Sequence, residues 1–226
     1  MSEHRTPDHQ RAAAYFDRSG ELFDSLYSMD KVSPWQRFIN RHFRSDVYER
    51  YRLTVEHLRG AGASSVLDVG IGGARYAKGY VDAGIKRIVG IDISSTMLEF
   101  ARAHVSRIAG HEGIFQFVRA DIDAFDTAET FDVVVAMGFF DYTPDPLRCL
   151  SKLHQFCNDS VIASFPSCSL YRTPIRKLRY IFKNCPVFFY DRFRIMQLST
   201  QAGFARCEVT KIKGSGMDYV AVFRKR

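Results

Sequence analysis

The chain has 226 residues, 46% of them apolar and 14% aromatic, which excludes a disordered protein and is the size of one α/β domain. The longest apolar run, 131–140, is interrupted by Asp132 and Gly138 and is too short to cross a bilayer. The net charge of +7 is uneven: Arg37, Arg41, Arg44, Arg50 and Arg52 crowd one segment and Arg172, Arg176, Lys177, Arg179 and Lys183 another, while 121–145 is acidic.

In chain order, residues 1–10 read as a polar tail without the apolar core of a signal peptide, so the expected location is the cytoplasm. Spacing predicts a helix over 12–27 and a second one opened by Ser33-Pro34, with Trp35, Phe38, Ile39, Phe43, Tyr51, Val55 and Leu58 on its apolar side. A break is expected near 44–46. These helices, 1–60, are expected to lie across a sheet edge or a ligand crevice as a lid. From Ser65 the pattern alternates strand and helix, the signature of a doubly wound parallel sheet. Strands are predicted at 65–69, 87–91, 114–118, 131–137 and 160–165, with helices over 74–83, from Ser94-Ser95 onward, and from Pro146. A basic insertion (167–190) and a helix over 191–202 follow. Two final strands, 204–211 and 217–224, form a hairpin about Gly214-Ser215-Gly216. The expectation is thus one domain: a helical lid, then a Rossmann-like core over 61–226 with seven strands, the last antiparallel. Five cysteines without Cys-x-x-Cys spacing, and seven scattered histidines, predict reduced thiols and no metal site.

The chemistry concentrates at the predicted strand ends. Val66-Leu67-Asp68-Val69 runs into Gly70-Ile71-Gly72-Gly73-Ala74, a turn whose missing Cβ atoms let backbone approach a ligand. The Lys-Ser/Thr of a phosphate loop is missing, so the turn suits a nucleoside with a small charged tail. Asp68 there suits a ligand bearing positive charge. Asp92 ends the second strand close to the offset of about 20 residues at which an acid binds both ribose hydroxyls. Asp121 follows the third strand and suits an exocyclic adenine amine, with Ile93, Met97 and Ile122 enclosing the ring.

Four pieces, Val66–Gly73, Val89-Gly90-Ile91-Asp92-Ile93-Ser94, Ala120-Asp121-Ile122 and Phe131–Met137, stand in an order and spacing that resembles the class I S-adenosylmethionine-dependent methyltransferases, over roughly 60–225. The resemblance implies S-adenosylmethionine as cofactor, with Gly70 and Gly72 beside its methionine part, Asp68 nearby and Asp92 on the ribose. It also implies Asp121 and Ile122 at the adenine and Met137-Gly138 beside the methionine end. The segments around Tyr15 and Tyr27 look like the lid of small-molecule members, those methylating quinone rings and magnesium protoporphyrin among them. Strand four is followed by Met-Gly-Phe-Phe-Asp-Tyr, not by the Asn/Asp-Pro-Pro-Tyr/Phe of enzymes that methylate amino groups of nucleobases or glutamine. Cys185-Pro186 resembles the nucleophile pair of cytosine-C5 enzymes, but it falls in the insertion and reads as structural.

The expected activity is therefore methyl transfer to O or N of a small-molecule acceptor, catalysed mainly by positioning. Asp141, Tyr142 and Tyr190 are the candidate bases for a protonated acceptor. A carboxylate acceptor would need no base, and the basic insertion, Arg176 included, would clamp it. An acidic or lipidic acceptor fits the two basic segments, as does a peripheral membrane contact. The rival expectations are methylation of RNA or another macromolecule and a non-catalytic interaction protein. Nucleic acid is disfavoured because the chain leaves no room for a separate binding module.

Overall fold

A computed structural model describes residues 34–108, 110, 112–167, 188–212 and 218–226, with side chains from Asp46 onward except at Glu112. Outside the described residues lie the expected helix at 12–27, the body of the basic insertion with Cys168 and Cys185, and the turn at 214–216. Tyr15, Tyr27 and Arg176 lie there too.

The elements run α1 (Pro34–Ala61), β1 (Ser65–Val69), α2 (Ala77–Asp82), β2 (Arg87–Asp92), α3 (Ser95–Val105) and β3 (Phe115–Arg119). They continue with β4 (Phe131–Ala136), α4 (Pro146–Phe156), β5 (Cys157–Phe165), α5 (Arg192–Gln201), β6 (Arg206–Lys211) and β7 (Tyr219–Arg224). The strands form one seven-stranded sheet in the order β3-β2-β1-β4-β5-β7-β6. β1 to β5 are parallel, and β7 runs antiparallel to both β5 and β6. Because β1 sits between β2 and β4, chain crossing leaves β1 in opposite directions, and a crevice opens at the carboxyl ends of these strands.

β1 and β4 are covered on both faces, so they read as continuous apolar runs. Alternation divides them between two cores. Leu67, Val69, Val134 and Ala136 pack with α4 and α5, and Val66, Val133 and Val135 pack with Leu58 of α1 and Tyr80 of α2. Asp132 clamps the amino ends of both strands. Its carboxylate accepts from the Ser64 and Ser65 amides at 2.8 and 3.0 Å, and its own amide donates to the Ser65 hydroxyl at 2.9 Å.

Four expectations change. α1 continues unbroken through 44–46, since no glycine or proline interrupts it between Pro34 and Gly60. α2 begins at Ala77 and not at Ala74, because Ala74 has φ +55°, left-handed backbone that cannot start a right-handed helix. β4 stops at Ala136, since Gly138 turns the chain at φ +78°. The described side chains of α1 lie over a face of the sheet, against β5 and α2, and not along an edge.

That placement depends on a polar seam the apolar periodicity does not show. His57 Nε2 meets Ser160 Oγ at 2.8 Å, and Arg50 donates to Ser164 Oγ at 3.3 Å. Arg50 also pairs with Asp218, which is wholly buried at the start of β7. Two serines four residues apart on β5 thus receive two side chains seven residues apart on α1. Arg52 is held by Glu49 and Glu56, so two of the five arginines in this basic segment are already engaged within the fold.

Two outcomes follow for stability. A Cβ on Gly79 would stand 2.6 Å from Val55 Cγ2 and 2.8 Å from the Tyr51 hydroxyl. Glycine to alanine within a helix ordinarily gains about 0.5–1 kcal/mol, whereas overpacking costs about 1–3 kcal/mol. Gly79→Ala is therefore expected to lower stability in urea denaturation, by prying α1 from α2. Burial holds the His57 imidazole below its ordinary value, with Arg224 adding to the effect. The unfolded chain takes a proton near pH 6.5 that the folded chain refuses, so this contribution is intact above 6.5 and is lost as pH falls below it. The stability difference between His57→Gln and wild type is expected to shrink as pH falls from 7 to 5, read from paired denaturation midpoints.

Candidate active site

The turn after β1 is pinned to the end of β2. The Gly70 and Ile71 amides both donate to the Ile91 carbonyl, at 2.8 and 3.1 Å, and the Gly72 amide donates to Asp92 Oδ2 at 2.9 Å. Gly70 and Gly72 take φ +72° and +54°, which glycine adopts without a Cβ clash. A Cβ on Gly70 would come within 3.3 Å of the Phe139 ring, and one on Gly72 within 3.3 Å of Met97 Cε, so the turn is closely walled. Below it, Gly90 makes room for Ile71, whose Cδ1 would stand 2.3 Å from a Cβ there. His104 of α3 donates from Nδ1 to the Gly73 carbonyl at 3.0 Å.

Asp92 is half-buried at the crevice. Its second oxygen accepts from the Ser94 amide at 2.9 Å, and its carbonyl accepts from the Ala120 amide at 3.0 Å. Both carboxylate oxygens are thus oriented by backbone amides. Ser94 caps α3 by accepting from the Met97 amide.

Asp68 points to the opposite face of the sheet from Leu67 and Val69. It is 3% exposed and accepts from the Tyr80 hydroxyl at 2.6 Å. Burial, with Asp92 adding to it, pushes its carboxyl up to about 7, and the Tyr80 hydrogen bond opposes the shift. Tyr80 and Gly90 matter to this site, yet in sequence each reads as an ordinary member of a helical or strand pattern. The only signal for Tyr80 is a tyrosine in an apolar stripe one helix beyond a buried acid.

The other predicted residues fall around the same crevice or beside it. Met97 is buried beneath Gly72, and Ile93 is half-buried, its carbonyl accepting from Arg119. Asp121 is half-buried, with one oxygen accepting from the Asp123 amide at 2.9 Å, while Ile122 is buried in the larger core. Met137 is half-buried, and the Gly138 amide donates to Ser164 Oγ at 2.7 Å. Gly138 therefore shares a serine with Arg50 of α1.

Among the candidate bases, Asp141 and Tyr142 are half-buried on the turn after β4, where Phe188 donates to the Asp141 carbonyl and Tyr142 to the Phe139 carbonyl. Tyr190 is different. It is 5% exposed, packs edge-on to Phe165 at 5.1 Å and donates to the Phe140 carbonyl at 3.3 Å. Burial, then Asp141, pushes its phenol well up, so it keeps its proton at neutral pH and is a packing residue of the crevice wall. No cluster of metal-binding side chains occurs among the described residues, and no helix there is long and apolar enough to cross a membrane.

A family model described as a methyltransferase domain matches residues 67–163. A ubiquinone biosynthesis O-methyltransferase from Aliivibrio fischeri is 33% identical over 101 residues, 45% of this chain and 42% of that protein. One of the same name from Colwellia psychrerythraea is 24% identical over 93% of this chain and 83% of its own length. The chain thus spans about two fifths of the first curated relative it matches. Among solved structures, a magnesium protoporphyrin IX methyltransferase from Synechocystis with bound SAH superposes with a TM-score of 0.77 at 19% identity, covering 96% of this chain and all of that one. The sheet order is that of this fold, and the matched residues contain Asp68, the glycine turn, Asp92 and Asp121. Residues 67–163, which build the crevice, thus match a methyltransferase domain, and the fold around them is shared with a methyltransferase solved with bound SAH.

Proposed function

We propose that the chain transfers a methyl group from S-adenosylmethionine to an oxygen or nitrogen of a small-molecule acceptor. The observation that carries this reading is the pinned glycine turn, with the forked Asp92 carboxylate on one side of it and the buried Asp68 on the other. When bound, the cofactor supplies a methyl group already activated by its sulfonium. The residues of the chain then bind, orient and exclude water. Asp92 accepts from the ribose hydroxyls, Asp121 from the adenine amine, with Ile93, Met97 and Ile122 around the ring. Gly70 and Gly72 bring backbone against the methionine part, and Met137 and Gly138 border its far end. Positioning of this kind supplies on the order of 7–11 kcal/mol of the barrier.

The two O-methyltransferase relatives support oxygen as the acceptor atom. A hydroxyl acceptor loses a proton, and Asp141 or Tyr142 at the mouth of β4 takes it. For a carboxylate acceptor no base is needed and Arg176 of the insertion pairs with it, so an acidic acceptor is the second form of the same reading. Residues 1–60, with Tyr15 and Tyr27, and the insertion at 167–190 select the acceptor. A nucleic-acid substrate is disfavoured further because Arg50 and Arg52 are committed to partners within the fold.

Two measurements test the reading. Calorimetric titration with S-adenosylmethionine is expected to give micromolar binding to wild type, weakened at least tenfold in Asp92→Ala. Folded wild type that does not bind would overturn the assignment. With labelled methyl donor and a panel of phenols, carboxylic acids and amines, Asp141→Asn is expected to lower kcat by about 10²–10⁴-fold for a phenol, as loss of a general base does. It is expected to leave methylation of a carboxylate within a few-fold of wild type.

A further inference from the structure

We propose that Asp68 and Tyr80 form a proton-coupled latch. Without ligand Asp68 holds a proton, and it releases that proton to solvent when the cationic cofactor binds, with Tyr80 as the positioning residue that sets the pH of the exchange. The proposal rests on reading the crevice as a site for S-adenosylmethionine.

The geometry isolates this carboxyl. Its neighbours in register are Gly90 on β2 and Val135 on β4, and neither brings a side-chain donor. From α2 comes the Tyr80 hydroxyl at 2.6 Å, and from the end of β2 comes a second carboxylate, Asp92. Tyr80 is wholly buried and stacks on Tyr76 at 6.2 Å, which stacks at 5.7 Å on Tyr51 of α1, so the hydroxyl cannot swing aside. Burial above all, then Asp68, keeps the Tyr80 phenol protonated and donating. The dry site, with the like charge of Asp92 adding to it, favours the acid form of Asp68, the Tyr80 hydrogen bond opposes them, and the balance holds the carboxyl near 7.

S-adenosylmethionine brings a sulfonium and an ammonium against a single carboxylate, a net positive charge. Beside Asp68 that charge favours the ionised form. On binding, the O–H bond of Asp68 breaks and the proton passes to water. The carboxylate keeps the Tyr80 hydrogen bond and faces the cation, and nothing is oxidised or reduced. Below pH 7 the ligand must displace this proton, so affinity falls toward tenfold per pH unit.

The test is calorimetric titration of the full chain with S-adenosylmethionine in phosphate and in imidazole, whose ionisation enthalpies differ. At pH 6.5 about 0.8 proton is expected to leave per site, falling below about 0.1 at pH 8.5 in a second buffer pair, as a group titrating near 7 requires. Asp68→Asn is expected to bind with buffer-independent enthalpy. Tyr80→Phe removes the bond that favours the ionised form, so its proton release is expected to persist to higher pH, a shift that loss of packing alone would not produce. Should Tyr80→Phe not fold, the Asp68→Asn comparison decides by itself. Wild-type binding with equal enthalpies in both buffers, or unchanged release from Asp68→Asn, would overturn the latch. Wild type that fails to bind at all would overturn the cofactor reading beneath it.

Discussion

The crevice depends on one carbonyl. Ile91 O receives two successive amides, Gly70 and Ile71, from the chain leaving β1, and this fixes the turn to the end of the neighbouring strand. Two successive amides can converge on one oxygen because Gly70 takes a positive φ, and Ile71 can seat beneath the turn because Gly90 has no side chain. The Gly72 amide then falls to Asp92, so the same local geometry that forms the turn also orients the carboxylate expected to grip the ribose. Glycine turn and sheet junction are thus one construction.

A second dependence runs from α1 to the far side of the crevice. Arg50 reaches Ser164, Ser164 receives the Gly138 amide, and Asp218 holds Arg50 from β7. A buried ion pair of this kind gives little net stability relative to apolar packing, but losing one partner strands a charge. Its value lies in register: it sets where α1 crosses β5. The turn after β4 is therefore tied through Ser164 to α1.

Much of this was legible in the sequence. The alternation of strand and helix, the strand-end acids and the closing antiparallel pair follow from local patterns, because β1 and β4 are buried on both faces and α4 has a strong apolar side. Boundaries were less legible where one residue took an unusual backbone angle, as Ala74 and Gly138 did. The expected break in α1 reflected a polar Arg-Ser-Asp stretch, but polarity does not end a helix that lacks a breaker. Among candidate site residues, Asp92 and the glycines stand out by spacing, whereas Tyr190 does not show its place: a polar-tipped aromatic near an acceptor mouth and one inside a packed wall have the same spelling.

The sequence by itself determined the class of fold and the identity of the acids at the strand ends, since these rest on contacts between residues a few positions apart or on strand-length periodicity. Only the tertiary structure decided which partners those acids have. Tyr80 meets Asp68 from the helix that follows β1, His57 and Arg50 meet serines more than a hundred residues away, and Asp218 closes a pair with Arg50 from the opposite end of the chain. Such pairings depend on how whole elements cross, and no local pattern of apolar and polar residues encodes a crossing.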